Sequence, residues 1–552
     1  MDNKILADLI FPDINKTIKD YEDKYKKRDL KEGEKVTRFA PSPTGYVHIG
    51  NFFQAVISYI NAKNSNGVFY LRNEDTDQKR EKKGAAELIM KVLKEYNLTP
   101  DEYQLNGEVA GNYGPYIQSE RKDIYQTFVK HFIEIGRAYP CFCTPLKLSE
   151  MRESQSSHKA RIGYYGSFAK CRKLSIEEIK ENIDNNIPYV IRFKSMGNFD
   201  NKVKFTDLVK GDILFPENDL DVVIMKSDTK LPTYHFAHLV DDYLMGTTHV
   251  TRGEEWLSSV PLHIELFKTL GVKLPKYIHN PLILKKDGDK VRKISKRKDP
   301  EASMSYYDEM GFPPICVIES LMTIINSDYE QWRDNNKDKS FLDFKFNPKK
   351  MNSSGALYDL DKLKNITKNY LSTLKAEEVY EGLVNWTSKY DIDFNNLITK
   401  YRDYTISILN IERNQKKPRK DYECYSDIKN HISYMYNELF IKDINTYEFE
   451  GFDKDIIINV LNSYLEVYNE NDTKEEWFNR CKDLCEELGF TGNMKEYKEN
   501  PNKYVGNIAH FTTIIRVGVT KKTMTPDLYD ILLLIGKDNI KDRFTYVINN
   551  LK

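Results

Sequence analysis

A stretch near the start of the chain combines residue types that suit phosphate binding. In "RFAPSPTGYVHIGN", Arg38 to Asn51, His48 and Gly50 lie where a turn gives way to apolar residues at helical spacing. The N–H groups and dipole of a helix N-terminus attract anions, glycine allows close backbone approach, and an imidazole adds a donor. The stretch predicts an anion site at a helix start, although an ordinary turn with a chance histidine fits the same pattern.

A second, basic stretch lies far downstream. In "KKDGDKVRKISKRKD", Lys285 to Asp299, the side chains of Lys293, Lys296 and Arg297 crowd a short loop. Cations this dense repel one another, so a polyphosphate is a sensible ligand, and flexible lysines can follow charge onto a leaving phosphate. Alone, the loop fits a solvated basic surface or a nucleic-acid patch better. Together with the first stretch, it favours a site for a nucleotide.

The residue pattern also predicts the elements that position the first stretch. Val36 to Ala40 alternates like a strand, Pro41 to Tyr46 reads as a stiff turn, and "NFFQAVISYINAK" has helical spacing. Val68 to Leu71 is the next apolar run. The segment is therefore a predicted βαβ unit with His48 and Gly50 at the start of its helix.

Length and composition bound the class of protein. With 552 residues and 40% apolar residues, the chain can form about three or four domains. Lys and Arg number 83, as do Asp and Glu, so a polyanionic partner would have to meet local basic patches. A charged N-terminus and no apolar run near roughly 18 residues predict no membrane insertion and a cytoplasmic location. Seven cysteines, an odd number, do not suggest a disulfide framework.

The pattern changes twice along the rest of the chain. Residues 1 to about 35 form a charged, helix-prone lead-in. From about 118 to 235, a helix, cysteines and short strands such as Tyr189 to Phe193 and Val222 to Lys226 read as an inserted α/β module. Past about residue 300, strand signals fade and amphipathic segments predict a helical C-terminal half.

The two phosphate-binding stretches resemble the HIGH and KMSKS signatures of class I aminoacyl-tRNA synthetases. More specifically, "RFAPSPTGYVHIG", "LRNEDTD", "HFAHLVDDYLMGTTHVTRGEEWL" and "KISKR" occur in the order found in glutamyl-tRNA synthetases. The C-terminal "IAHFTTIIRVGVTKKTMTPDLYDILLLIGKD" is similar to the last stretch of bacterial members of that family. The resemblance spans about residues 34 to 552.

The resemblance implies an α/β, Rossmann-like class I synthetase catalytic core with an α/β insertion, followed by an all-α anticodon-binding region. The implied regions are an N-terminal extension (1–35), the first half of the catalytic domain (36–117), an inserted acceptor-binding module (118–235), the second half of the catalytic domain with the "KISKR" loop (236–300), a stem-contact region (301–370) and a helical anticodon-binding region (371–552).

The family resemblance also implies a pocket for glutamate. Glutamate has an ammonium and two carboxylates, and Arg38, Arg252 and Glu74 supply two cations and one anion. The planar arginine fork donates two parallel hydrogen bonds to a carboxylate and rejects glutamine, which lacks the charge. Ser42 and Tyr234 would be hydrogen-bonding walls. Which arginine holds which carboxylate stays open.

One wall of this pocket departs from the family pattern. Where bacterial members often carry Asn before the "VDD" segment, this chain has His238. Glutamine-type and some glutamate-type relatives also carry histidine there. His238 is therefore expected to contact substrate, and it makes amino-acid specificity at that wall less secure.

For ATP, the resemblance implies contacts from both phosphate-binding stretches. His48 and Gly50 would lie near the phosphates, Glu255 beside the nucleotide, and Lys296, with Lys293, would follow charge into the transition state. The α-carboxylate attacks the α-phosphate, pyrophosphate leaves, and the adenylate passes its acyl group to the terminal ribose of tRNA. Positioning and electrostatics carry both steps, with Mg²⁺ as counter-charge.

Three cysteines resemble the zinc-binding insertion of some relatives. Cys141, Cys143 and Cys171 would supply three of the four ligands that zinc requires. The fourth ligand stays open among His158, Tyr164 and Tyr165. Three reduced thiols in a metal-free module are the alternative.

The expected function is ATP-dependent ligation of L-glutamate to tRNA(Glu) through a glutamyl-adenylate, by a monomer. A glutaminyl-tRNA synthetase is one alternative, and Arg38 with the "EDTD" and "VTRGEEWL" segments argues against it. A catalytically inactive tRNA-binding regulatory protein is another. Intact His48, Lys293 and Lys296 argue against that, since a protein that only binds tRNA needs no ATP-binding groups.

Overall fold

The computed structural model describes residues 3–449 and 451–552 and divides the chain into two compact units. The first unit comprises the chain up to Tyr307 together with Val317–Asp359, and the second comprises Asp308–Cys316 and Leu360–Lys552. Every described strand belongs to the first unit. The strands are β1 Val36–Phe39, β2 Val68–Leu71, β3 Tyr103–Leu105, β4 Glu108–Ala110, β5 Ala138–Cys141, β6 Val190–Phe193, β7 Lys202–Asp207, β8 Gly211–Pro216, β9 Val223–Met225, β10 His249–Gly253, β11 Lys276–Asn280, β12 Ile283–Asp287, β13 Lys290–Lys293 and β14 Ala356–Leu357.

Helices occur in both units. Up to residue 359 they are α1 Asn3–Ile10, α2 Ile18–Lys24, α3 Ile49–Lys63, α4 Ala85–Glu95, α5 Lys122–Glu134, α6 Pro145–Ser157, α7 Ile176–Asp184, α8 Tyr234–Leu244, α9 Val260–Leu270, α10 Met304–Met310, α11 Pro314–Ile325 and α12 Tyr329–Asn335. Beyond it they are α13 Leu360–Thr373, α14 Ala376–Tyr390, α15 Ile392–Lys400, α16 Arg402–Asn410, α17 Tyr425–Ile432, α18 Lys454–Val467, α19 Lys474–Glu487, α20 Met494–Glu499, α21 Ile508–Thr520, α22 Leu528–Ile535 and α23 Lys537–Leu551. The predicted helical C-terminal half is confirmed.

Parallel strands form the centre of the first unit. β1 pairs with β2, and β10 pairs with β11, both in parallel. Thr248 N donates to Val36 O at 3.0 Å, and Val36 N donates to Thr248 Oγ1 at 2.8 Å, which brings β10 beside β1. Every residue of β1 and β10 is buried, as expected for parallel strands covered on both faces. The predicted βαβ unit is confirmed as β1, α3 and β2.

An α/β insertion interrupts this core, as the sequence predicts. β6 lies between β5 and β9 in an antiparallel sheet, and β7 and β8 form a hairpin. The strands predicted at Tyr189 to Phe193 and Val222 to Lys226 are observed as β6 and β9, each slightly shorter. In the described part of the chain, no helix is long and apolar enough to cross a membrane.

The N-terminal lead-in is a packed part of the first unit. Leu6, Ala7 and Ile10 of α1 share one hydrophobic core with Phe128 and Phe132 of α5. This packing buries apolar surface on both helices, the main favourable term in folding. The lead-in is also tied down by polar contacts, because Arg28 donates to both carboxylate oxygens of Glu102, at 2.8 and 2.7 Å.

Two adjacent carboxylates on α8 join the elements around the centre of the sheet. Asp241 accepts hydrogen bonds from Arg121 Nε at 2.7 Å, Gln118 Nε2 at 2.8 Å and Tyr125 OH at 2.8 Å. Asp242 accepts from Arg72 Nη1 at 2.8 Å. Both aspartates and both arginines are buried. Buried charges persist only when they are paired and hydrogen-bonded, so α8 is fixed in place by these contacts.

Removing Arg121 should cost far more stability than removing an exposed arginine. Arg121→Met leaves the Asp241 carboxylate buried without its closest cation, so we expect the free energy of unfolding to fall by about 3–5 kcal/mol. The control is Arg80→Met, because Arg80 pairs with Asp77 at 3.3 Å on the exposed surface and should cost under about 1 kcal/mol. Urea unfolding of the full chain measures both, and equal losses would contradict the structural role of Asp241.

Candidate functional site

The two predicted phosphate-binding stretches line one cavity. His48 and Gly50 at the start of α3, Lys293 and Lys296 around the end of β13, and Glu255 after β10 all face a space of ≈ 290 Å³. His48 and Gly50 lie more than 200 positions before the other three residues in the chain, and the packing of parallel strands brings the two groups together. Carboxyl ends of parallel strands are where ligands bind in open α/β sheets. The structure therefore brings together all five residues predicted to contact ATP.

His48 begins α3 as its N-cap residue. Its Nδ1 accepts a hydrogen bond from Gly50 N at 2.9 Å, so the proton of the neutral ring lies on Nε2. Burial, and then the nearby Lys296 and Lys293, lower the pKa of His48 to about 4. At neutral pH the side chain is therefore an uncharged donor beside the free N–H groups of a helix start.

The lysine loop is braced by an ion pair that the sequence analysis missed. Arg292 donates to both carboxylate oxygens of Asp299, at 2.7 and 2.8 Å, and Ser295 N donates to the same carboxylate at 2.8 Å. Lys296 Nζ donates to the Tyr46 carbonyl at 3.0 Å, so the loop already touches the first stretch. In the sequence, Asp299 stands at the end of the run of basic residues, which indicates that it pairs with one of them. Which basic residue pairs with Asp299 depends on the hairpin formed by β12 and β13.

Gly253 leaves room for the Glu255 side chain in the position that it occupies. A Cβ on Gly253 would come within 2.1 Å of a Glu255 carboxylate oxygen. Glycine at this position therefore leaves room for the carboxylate against the strand end. Both residues line the cavity, so this close approach sets part of its wall.

Arg38 and Arg252 lie on the neighbouring strands β1 and β10, and both are buried. Arg38 Nη1 donates to Thr251 O at 2.8 Å, one residue before Arg252, and Arg38 Nε lies 3.6 Å from Asp242. Both guanidinium groups act electrostatically on His238. The two predicted carboxylate clamps therefore belong to one region of the first unit.

Glu74 is buried and already has a cationic partner. Arg72 Nη2 donates to Glu74 Oε1 at 2.9 Å, and Arg72 also pairs with Asp242. Burial raises the pKa of Glu74, and the positive charge of Arg72 opposes that rise. Arg72 is not among the predicted site residues, although its place two residues before Glu74 in "LRNEDTD" is a usable signal.

The predicted wall residues occupy different environments. Tyr234 begins α8 with its ring parallel to His238 at a centroid distance of 6.0 Å. His238 is fully buried, with Nδ1 toward Asp242 and Nε2 at 2.6 Å from Tyr277 OH. Both ring nitrogens of His238 thus have protein partners. Ser42 lies in the exposed turn after β1.

The three predicted metal-binding cysteines form a cluster in the inserted module. The sulfurs of Cys141, Cys143 and Cys171 all lie within 4.8 Å of one another, and Cys143 Sγ is 3.6 Å from Cys171 Sγ. Tyr164 OH lies 3.5 Å from Cys141 Sγ and 3.4 Å from Cys143 Sγ. Sulfur ligands of a tetrahedral zinc ion lie about 3.8 Å from one another, so the three cysteine sulfurs and the Tyr164 oxygen fit a zinc ion.

The other two candidates for the fourth ligand lie elsewhere. His158 is exposed, and its Nδ1 lies 2.8 Å from Ser154 O. Tyr165 OH donates to Arg161 O at 2.8 Å. Of the three predicted possibilities, only Tyr164 reaches the sulfurs in the described contacts.

The second unit contains a cavity of its own, with a volume of ≈ 680 Å³. Arg516 lines it, its Nε is buried without a hydrogen-bond partner, and burial lowers its pKa. Arg419, Phe478 and Leu528 also face the space, and Phe478 is 47% exposed. A guanidinium beside an exposed aromatic ring suits stacking and polar contacts to an unpaired nucleic-acid base.

Comparisons with known proteins agree on one family. A family model described as "tRNA synthetases class I (E and Q), catalytic domain" matches residues 34–351. A glutamate–tRNA ligase from Acetivibrio thermocellus is 45% identical over 98% of this chain and 99% of that protein. One from Clostridium perfringens is 46% identical over 98% of both chains. A glutamate tRNA ligase structure from Elizabethkingia meningosepticum, in complex with its amino acid, has a TM-score of 0.74 and 26% identity, covering 94% of this chain and 100% of that one.

Two histidines near the site, the half-buried His235 and the fully buried His238, should make the protein lose stability in mild acid. Burial is the largest cause that lowers the pKa of His235 and of His238 to about 4. Unfolded histidines take protons near pH 6.5, so the unfolded state binds more protons between about pH 6.5 and 4. Stability is therefore full above about pH 6.5 and falls as the pH drops, by up to about 1.4 kcal/mol per pH unit for each histidine.

Urea unfolding at pH 7.5, 6.5 and 5.5 measures this slope. His235→Gln should reduce it, whereas His158→Gln, at an exposed position, should leave it as in the unaltered chain. An identical slope in all three proteins would contradict the assignment of His235 as a histidine held neutral by burial.

Proposed function

This chain belongs to the glutamate–tRNA ligases of the class I tRNA synthetase family, and on that premise we propose how its residues perform the reaction. The enzyme ligates glutamate to tRNA at the expense of ATP. The observation that carries the assignment of roles is the single cavity lined by His48, Gly50, Glu255, Lys293 and Lys296, beside the buried Arg38 and Arg252. This arrangement supports a phosphate site and a pair of amino-acid clamps on neighbouring strands of the same unit.

ATP binds with its phosphates between the start of α3 and the lysine loop. His48 donates from Nε2, and the helix N-terminus adds its dipole. When the glutamate α-carboxylate attacks the α-phosphate, negative charge grows on the departing pyrophosphate. Lys296 then gives up its hydrogen bond to the Tyr46 carbonyl and donates to the pyrophosphate oxygens instead. Lys293 supports it from the same loop. Mg²⁺ supplies counter-charge to the phosphates when bound, and Glu255 offers a carboxylate oxygen from the cavity wall.

Glutamate binds with its carboxylates on the two arginines and its ammonium near Glu74. Tyr234 and Ser42 would complete the walls of this pocket. His238, whose ring nitrogens both have protein partners, would contribute through its stacked contact with Tyr234. Burial raises the pKa of Glu74, and the charges of Arg72 and Arg38 oppose that rise. A substrate ammonium beside the carboxylate would favour its ionised form further. Glutamine is disfavoured because its amide leaves a buried guanidinium without an anion.

The adenylate then passes its acyl group to the terminal ribose of tRNA(Glu). Residues 118–235 would hold the acceptor end, 301–370 the stem and 371–552 the anticodon, as the sequence predicts. The cavity around Arg516 and Phe478 supports base recognition in the last of these regions.

Lys296 should contribute to the chemical step and little to glutamate binding. Lys296→Ala removes a cation that acts mainly in the transition state, so we expect glutamate-dependent pyrophosphate exchange to slow by about 10²-fold or more. Lys298→Ala is the matched control, since Lys298 lies in the same loop and is absent from the cavity wall. Unchanged turnover of Lys296→Ala would contradict the role given to this lysine.

The same assay tests the choice of amino acid. We expect exchange with glutamate and not with glutamine, and only when tRNA is present. Exchange with glutamine at a similar rate would favour the glutamine-specific alternative, and no exchange with either would favour a protein that only binds tRNA.

We also propose a structural zinc ion in the inserted module, with Cys141, Cys143, Cys171 and Tyr164 as ligands. Metal analysis of the purified protein should find about one zinc per chain. Cys143→Ser and Tyr164→Phe should lower that content, whereas Cys481→Ala, which alters a buried thiol of the second unit, should keep it. Absence of stoichiometric zinc in the unaltered chain would leave three reduced thiols as the correct description.

A further inference from the structure

Arg252 is a buried arginine whose two shortest side-chain contacts are to imidazole rings. Its Nε donates to His279 Nε2 at 2.9 Å, and its Nη1 lies 3.2 Å from His263 Nδ1. Among the described residues, no carboxylate forms an ion pair with Arg252. By contrast, Arg72 and Arg121 are paired directly with carboxylates. Every hydrogen-bond partner described for Arg252 is therefore a neutral group.

The partners of Arg252 have defined tautomers. A guanidinium only donates, so His263 Nδ1 and His279 Nε2 must both be unprotonated acceptors. The proton of His263 then lies on Nε2, which is 3.0 Å from His235 Nδ1, and the proton of His279 lies on Nδ1, which is 2.7 Å from Asp207 Oδ2. Burial lowers the pKa of all three histidines, so they stay neutral.

Asp207 is the first carboxylate reached from Arg252 along these hydrogen bonds. The imidazole ring of His279 lies between Asp207 and the guanidinium of Arg252. Its own hydrogen bonds hold it toward the hairpin of β7 and β8, since Val209 N and Lys210 N donate to Oδ1 at 2.8 and 2.9 Å. Asp207 therefore fixes the tautomer of His279 without contacting the guanidinium.

The rest of the Arg252 fork is weakly occupied. Nη1 lies 3.5 Å from Tyr234 OH, and Nη2 lies 3.5 Å from the Trp256 carbonyl, both at the limit of a hydrogen bond. The Nη1 and Nη2 edge is the one that meets a carboxylate with two parallel hydrogen bonds. The N–H groups of Nη1 and Nη2 can give up these long contacts and donate to a carboxylate at a small cost in free energy.

We infer that His263 and His279 are positioning residues that hold Arg252 as a fixed cation without a direct counter-ion, so that a carboxylate of the bound glutamate completes the ion pair. The inference rests on the proposed contact between Arg252 and the amino acid. A protein carboxylate in place of either imidazole would orient the guanidinium equally well and would also neutralise it. The imidazoles orient it and leave its charge for the substrate, which favours glutamate over glutamine.

Substitutions at His263 test this inference in the pyrophosphate-exchange assay. His263→Leu removes the acceptor, and we expect the KM for glutamate to rise about 10- to 100-fold, the loss of one charge-assisted hydrogen bond. The turnover number and the KM for ATP should change little, and the preference for glutamate over glutamine should fall. His263→Asn, whose Oδ1 can replace Nδ1, should restore most of the affinity. His263→Glu should weaken glutamate binding most, since it supplies an internal counter-ion.

Two further variants separate this inference from the role of Arg252 itself. His249 is a buried histidine on β10 whose described hydrogen bond is to Thr248 and not to Arg252. His249→Asn should therefore leave the KM for glutamate unchanged. Arg252→Leu should abolish tight glutamate binding. If Arg252→Leu binds glutamate normally, the proposed role of Arg252 fails. If Arg252→Leu loses binding and a folded His263→Leu does not, only the positioning role fails.

Nitrogen NMR of the unaltered protein gives a measurement that does not depend on folding of a variant. We expect the proton on Nε2 of His263 and on Nδ1 of His279. A proton on Nδ1 of His263 would overturn the inference, because that nitrogen could not then accept from Arg252. An equal rise in the KM for glutamate and for ATP in His263→Leu would also overturn it, because it would indicate general damage to the site.

Discussion

The site depends on how buried positive charge is balanced in the first unit. Buried arginines lie on β1, directly after β2, directly before α5 and on β10. Asp241 and Asp242 on α8 neutralise part of the charge of the first three. A cluster of cations without these acids would not stay buried, and a cluster fully balanced by them would have no attraction for an acidic substrate. The arrangement pairs Arg72 and Arg121 directly, Arg38 at longer range, and leaves Arg252 to neutral imidazoles.

The same constraint connects folding with function. α8 carries the two buried aspartates and begins with Tyr234, so the element that neutralises the arginines also positions one wall of the proposed amino-acid pocket. On the other side of the strand ends, the lysine loop gains its shape from Arg292 and Asp299, which leaves Lys293 and Lys296 free to face the cavity. In both places, ion pairs within the protein determine which charges are left for ligands.

Much of this could be predicted from the sequence because it is local. His48 and Gly50 at a helix start, the basic loop, the strands of the βαβ unit and the helical C-terminal half all follow from patterns within short windows. The Arg292 to Asp299 pairing and the imidazoles around Arg252 could not be predicted in the same way. His263, for example, reads as one polar residue in an amphipathic helix, and its contact with Arg252 exists only once α9 packs beside β10.

The packed N-terminal lead-in has a practical consequence for anyone who shortens the chain. The catalytic-domain match begins at residue 34, which invites truncation at that point. Such a cut would strip α1 from Phe128 and Phe132 and would remove the acceptors that Lys130 finds in the Phe11 and Ile14 carbonyls. The uncovered face of α5 would then expose apolar surface that favours aggregation, so the first 33 residues belong in any minimal catalytic fragment.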